Sequence, residues 1–241
     1  MHNYHTEMAD EMYGKHKALD ELFDELVDKV DEIAEIGMGK YDRVDATGIT
    51  FIGKDGTLET YKEAVSADRF SWIDRLADCV ADDGNLYLIG HCRYSTSDLE
   101  FNQPMHREDK SIVHNGVITQ ELPENWKELY GYDCITKNDS ELVLHSEDPL
   151  QEFNHMSMGV VELYANKTMR FYRNGKRPIY LSSIPNGCII TSTMDIASRA
   201  QVGGIPVEVL MNHYITMDEH LAMHIERVDV ADAVDYQHAI R

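Results

Sequence analysis

Leu86-Tyr87-Leu88-Ile89-Gly90-His91-Cys92-Arg93-Tyr94-Ser95-Thr96 changes character half-way along. Its first half is a short apolar run, which suits a strand buried on both faces. Its second half carries groups that do chemistry. A guanidinium such as that of Arg93 grips a carboxylate with two parallel hydrogen bonds. Side chains alternate along a strand, so Arg93 and Cys92 face opposite sides, and Cys92 is expected to pack passively in the core.

On either side of this stretch the pattern predicts helix first and strands later. From Lys17, the residues Leu19, Leu22, Phe23, Leu26, Val27, Val30, Ile33 and Ala34 recur every three or four positions, one face of an amphipathic helix ended by Gly37 and Gly39. Gly48 to Gly53 reads as a strand closed by the turn Lys54-Asp55-Gly56. Residues 60–82 read as a second helix, with Phe70, Ile73, Leu76 and Val80 on one side. Beyond Gly84 strands dominate. Ile112-Val113 begins one, Gly159–Tyr164 and Met169–Arg173 form a hairpin about Ala165–Thr168, and Ile179–Leu181 and Cys188–Thr191 continue the sheet. Short helices are expected at Glu141–His145 and Asp195–Gln201. With no linker, repeat or low-complexity tract, one α+β domain is the simplest reading.

Two further runs complete the pattern: Ile112-Val113-His114-Asn115-Gly116 and Asn138-Asp139-Ser140-Glu141-Leu142-Val143-Leu144-His145. With Gly90–Thr96, in this order and spacing, they resemble the glutamine pocket of class II glutamine amidotransferases, members of the N-terminal-nucleophile hydrolase group. The Arg-Tyr-Ser-Thr portion is most similar to the amidophosphoribosyltransferase branch. The resemblance implies a four-layer αββα sandwich. It implies that Arg93 holds the α-carboxylate of glutamine with Thr96 lining the same pocket, and that Asp139 meets the α-amino group. A lone His-Asn-Gly is an ordinary tight turn. By resemblance it becomes the oxyanion hole, formed by the Asn115 amide and the Gly116 backbone N–H. Gln103-Pro104 and Asp45-Ala46-Thr47-Gly48 match smaller elements of the same pattern, while Asp42-Arg43 replaces the Arg-Gly that normally precedes the latter. The likeness covers about residues 17–225, leaving residues 1–16 as an extension and 226–241 as an acidic tail or last strand.

One departure governs the functional expectation. Family enzymes use an N-terminal cysteine as nucleophile and its α-amine as base. This chain opens Met1-His2-Asn3-Tyr4-His5 and has no cysteine before Cys79. The expectation is a non-catalytic relative used for binding, scaffolding or regulation, with glutamine or a related amino acid as ligand. The alternative is an active glutaminase subunit feeding ammonia to a partner synthase. Short stand-alone domains of this kind are familiar from bacteriophage genomes, which would make the chain a virion or host-directed component.

Charge and composition bound the rest. Lys+Arg total 22 against 43 for Asp+Glu, a net charge of −21. That sign repels phosphate backbones and anionic membranes, so neither nucleic acid nor a membrane is an expected partner. The acidity serves solubility or a salty milieu, offers a face to a basic protein partner, or mimics DNA, and charge alone does not separate these. No apolar run of membrane-spanning length occurs, and a cytoplasmic protein, in the host or a virion if viral, is expected. The four cysteines are widely spaced, which fits reduced thiols. Of the 12 histidines, His220 and His224 stand four apart on an expected helix beside Glu219, without a third and fourth ligand. No metal and no cofactor is expected.

Overall fold

The computed structural model describes residues 44–95, 102–201 and 203–230. The expected helix from Lys17, the extension before it, Thr96 and the segment from 231 lie outside the described residues. The central element is a six-stranded antiparallel sheet. Its strands are β4 (Met105–Arg107), β5 (Lys110–Val117), β6 (Ser157–Tyr164), β7 (Met169–Arg173), β11 (His213–Met217) and β12 (Met223–Arg227), in the spatial order β12-β11-β7-β6-β5-β4. Two three-stranded antiparallel sheets accompany it. One orders β2 (Leu58–Glu63), β1 (Val44–Ile52) and β3 (Leu88–Ser95) as β2-β1-β3. The other orders β10 (Val207–Glu208), β8 (Tyr180–Ile184) and β9 (Gly187–Thr191) as β10-β8-β9.

The layers follow from side chains alternating along each strand. On β6, Val161 and Leu163 face the small sheets, while Met158, Val160 and Glu162 face the helices. Ile52 of β1 and Ile89 of β3 meet Leu163, Val113 and Met169, and Leu181 and Ile190 of the other sheet meet Phe171, Ile215 and Met217. The opposite face of the six-stranded sheet is covered by α1 (Trp126–Tyr130), α2 (Ser140–His145) and α3 (Pro149–Glu152), through a core of Ile112, Trp126, Leu142, Val143, Leu150 and Tyr172. On the far side of the small sheets, 3-10 turns pack Phe70, Trp72 and Cys79 onto Ile49 and Phe51, and α4 (Met194–Arg199) lies beside β9. This is an α+β sandwich of stacked antiparallel sheets flanked by helical layers, as the resemblance implied.

A buried charge sits inside this sandwich. The Glu162 carboxylate, 0% exposed, accepts from Arg170 Nε at 2.7 Å, Arg170 Nη2 at 3.1 Å, Tyr164 at 2.5 Å and Tyr172 at 2.9 Å. Two carboxylate oxygens with four donors leave the charge compensated, the condition on which it tolerates burial.

Three expectations are corrected. Residues 60–82 are not one helix: β2 occupies Leu58–Glu63, followed by 3-10 turns at Ala67–Arg69 and Ile73–Cys79. The first part pairs across the sheet, with the Thr50 and Thr60 hydroxyls 2.8 Å apart, and the later apolar residues Phe70, Ile73 and Leu76 are spaced by three, the period of a 3-10 helix. His220 and His224 are not on a helix either. Asp218 Oδ1 accepts from the backbone N–H groups of His220 and Ala222, each at 2.9 Å, making the turn between β11 and β12, and His224 lies on β12. Met223-His224-Ile225-Glu226 alternates with period two, the signal a four-residue histidine spacing obscured. Finally, Cys92 is exposed rather than packed in the core.

Candidate functional site

β1, β3 and β5 bring the motif residues to one end of the sandwich. On β3, Ile89 points into the space between the sheets, so His91 and Arg93 share its face. On β5, Val113 points the same way, so Asn115 does too. On β1, Gly48 lies beside His91 in register and directly against the Gln103 carbonyl and the Pro104 ring. A Cβ at Gly48 would collide with both, so the glycine is required by close approach rather than by its own conformation.

Gln103 continues the sheet where β4 stops. Its side-chain amide takes the place of a neighbouring backbone, donating to His114 O at 3.0 Å and accepting from His114 N at 2.6 Å. The same amide nitrogen donates to Ser140 Oγ at 3.1 Å. Ser140 Oγ also lies 2.9 Å from His114 Nδ1, and His114 Nε2 lies 3.2 Å from the Ser157 carbonyl. A carbonyl only accepts, so Nε2 carries the proton; Nδ1 is then the acceptor and Ser140 donates to it. Burial holds the His114 imidazole below its ordinary pKa, in agreement with this neutral form. Asn138 Oδ1 closes the chain by accepting from Ser140 N at 3.0 Å. Apart from Ser157, every member belongs to one of the sequence motifs, and together they form one largely buried network.

Asp139 stands just before α2 and reaches back to the end of β5. Its Oδ2 accepts from the backbone N–H groups of Ile118 at 2.6 Å and Thr119 at 3.2 Å. This fixes the chain that leaves Asn115 and Gly116. Gly116 itself has φ +154°, and a Cβ there would run into the Ser157 carbonyl. Two physical requirements therefore meet at the glycine of His-Asn-Gly.

His91, half-buried, stands two residues before Arg93 on the same face of β3. Burial pushes its pKa down to about 4, helped by the charge of Arg93. Its Nδ1 is buried without a hydrogen-bond partner among the described residues. Asp139 in turn acts on His114 electrostatically, so Arg93, His91, His114 and Asp139 form a chain of through-space neighbours. Arg93, Asn115, Gly116 and Asp139 are each partly exposed at this end of the fold. Thr96 lies outside the described residues.

None of the described cysteines belongs to this network. Cys79 is buried under β1 with its thiol pushed up to about 12 by burial, and Cys188 packs its sulfur 3.6 Å from that of Met217. Cys134 stands beside α2, and Cys92 alternates away from Arg93 on β3. The roles of Gln103 and Ser140 as the joints of the network escaped the sequence reading. Both lay inside matched motifs, but nothing in one dimension shows that they touch.

No family model matches the sequence, and no curated protein matches it. Solved structures do match. Glutamine phosphoribosylpyrophosphate amidotransferase from B. subtilis, complexed with ADP and GMP, aligns with TM-score 0.57 and 18% identity over 76% of this chain and 42% of its own. A structure described as the allosteric regulatory enzyme of purine biosynthesis aligns with TM-score 0.60 and 17% identity over 76% and 43%. A glutamine aminotransferase class-II domain protein from Silicibacter pomeroyi aligns with TM-score 0.55 and 13% identity over 79% of this chain and 100% of its own. The chain thus spans less than half the length of the first two. Among the described residues no helix is long and apolar enough to cross a membrane. The described residues share the fold of these solved structures, an α+β sandwich of stacked antiparallel sheets.

Proposed function

We propose that this domain binds glutamine, or an amino acid like it, and does not hydrolyse it, serving as a binding or regulatory unit rather than a glutaminase. The observation that carries the reading is the network itself. Gln103, His114, Ser140 and Asn138 join the matched motifs through buried hydrogen bonds, yet no described cysteine enters it and the sequence has none before Cys79.

In this reading Arg93 takes the α-carboxylate as a two-pronged charged hydrogen bond. Asp139 takes the α-ammonium through the carboxylate oxygen that does not receive Ile118 and Thr119. The orphan Nδ1 of His91 is a buried polar atom that a bound ligand or water relieves, since an unpartnered buried group costs about 1–3 kcal/mol. The side-chain amide of the ligand lies against Asn115 and Gly116. Those two donors stabilise an oxyanion only after a nucleophile has attacked. In this reading no nucleophile forms that intermediate, and the two donors orient the amide and go no further. A basic protein partner suits the −21 charge of the chain.

The test pairs turnover with binding. The purified chain should release no ammonia from L-glutamine above the buffer rate. Arg93→Ala should weaken L-glutamine binding at least tenfold. Asp139→Asn keeps an oxygen for the Ile118 and Thr119 amides but removes the charge, so it should melt close to wild type while losing affinity. Ammonia release that disappears in Asn115→Ala would overturn the reading in favour of an active glutaminase subunit.

A further inference from the structure

We propose that Cys134, Glu141 and His145 form a site for a transition-metal dication of zinc type, separate from the amino-acid pocket. Their donor atoms all lie within 4.8 Å of one another. Glu141 and His145 are one turn apart on α2, and His145 Nε2 stands 3.5 Å from Glu141 Oε1. Two nitrogen or oxygen ligands on a tetrahedral zinc ion, at about 2.0–2.1 Å each, are separated by roughly 3.3 Å. The helix therefore presents this pair almost at ligand spacing. Cys134 enters from the preceding loop, and a sulfur at about 2.3 Å from the ion needs roughly 3.6 Å to its neighbours, a closure of at most about 1.2 Å from the 4.8 Å limit.

The loop is already held against the helix. Ile135 N donates to Glu141 Oε1 at 2.8 Å, and the Thr136 backbone and hydroxyl donate to Oε2, each at 2.6 Å. Oε1 carries the lighter load, and it is the oxygen 3.5 Å from His145 Nε2. The His145 ring stacks on Tyr132, with centroids 5.7 Å apart and planes 18° apart, so its orientation is supported from outside the cluster. Glu141 is buried whereas Cys134 and His145 are partly exposed, which leaves a way in for an ion.

Thiolate and carboxylate together neutralise a dication, and a thiolate–imidazole–carboxylate set favours zinc over calcium or magnesium. Three protein ligands leave the fourth position to water. One contact opposes binding. Exposed Arg107 approaches His145 Nδ1 at 3.5 Å and favours the tautomer with hydrogen on Nε2, so the ion must displace that proton and the arginine must swing away. Once bound, the ion staples the loop through Cys134 to the helix that begins at Ser140, directly after Asp139. The sequence reading missed this set because Cys-x6-Glu-x3-His is not a recognised ligand spacing.

Cobalt(II) titration of the reduced, full-length chain tests the proposal. One equivalent should produce thiolate-to-cobalt charge-transfer absorption in the near ultraviolet, displaced by added zinc. That band requires sulfur, so histidines elsewhere in the chain do not imitate it. Cys134→Ser should abolish it, His145→Gln should weaken cobalt binding at least tenfold, and Arg107→Ala should strengthen it. Zinc should raise the melting temperature of wild type by several degrees and that of Cys134→Ser not at all. Glu141→Gln is avoided because Glu141 also anchors the loop. Absence of the band with cobalt in tenfold excess, or its persistence in Cys134→Ser, overturns the proposal.

Discussion

At Gly116 the backbone leaves no room for a side chain. Its positive φ is unfavourable for any residue with a Cβ, and that Cβ would meet the Ser157 carbonyl of the neighbouring strand. Gly116→Ala should therefore cost at least about 1–3 kcal/mol, read as a fall in the denaturation midpoint without a change in slope. His91 sets a different dependence. Its folded pKa of about 4 lies below the ordinary histidine value of about 6.5, so the unfolded chain takes up the proton first. The stability this gives is complete above about pH 6.5 and is lost as the pH falls toward 4. His91→Phe should flatten the fall in melting temperature between pH 7 and pH 5, and an unchanged profile would show that other groups govern it. The members Gln103, His114, Asn138 and Ser140 of the buried network were legible as residues of the matched motifs. The neutral tautomer of His114 was not, because Ser140 and Ser157, which settle it, are 26 and 43 residues away.

The joint between β4 and β5 shows what an element owes to a single side chain. β4 is three residues long, and the Gln103 amide extends its pairing by satisfying both backbone groups of His114. Gln103→Leu keeps the bulk but strands a buried N–H and C=O. It should destabilise the protein by about 2–6 kcal/mol, at roughly 1–3 kcal/mol for each of the two unsatisfied groups, measured by chemical denaturation. Strand elements such as the β6–β7 hairpin were legible because alternation and turn residues agree there. The stretch from residue 60 misled because residues stepping by three satisfy a helical template while Thr60 and Tyr61 pair as strand. At β12 two histidines four apart suggested a helix face, whereas the Asp218 turn and the pairing of Met217 with Met223 decide for a hairpin.

Across the whole molecule charge and layering act together. A net charge of −21 repels itself in the compact state, and salt screens it within a Debye length of about 8 Å at physiological ionic strength. The melting temperature should rise when sodium chloride is increased from about 10 mM to about 150 mM, by mass screening and without a bound ion. A fall would mean that attractive pairs such as Lys167 with Asp82 and Asp83 outweigh the repulsion. The stacked-sheet sandwich was legible only through the motif resemblance, since periodicity gives strands but not which sheets face each other. What the layering achieves is to hold Arg93, Asn115, Gly116 and Asp139 at one end of the fold, with Cys79, Cys134 and Cys188 outside that group and Cys92, next to Arg93, turned to the other face of β3. Binding without turnover is the central claim that follows. Isothermal titration calorimetry with L-glutamine on the wild-type chain tests it in one experiment. Injection heats that saturate and return to baseline are expected. A sustained heat flow from continuing hydrolysis, or no heat at all at millimolar glutamine, would contradict it.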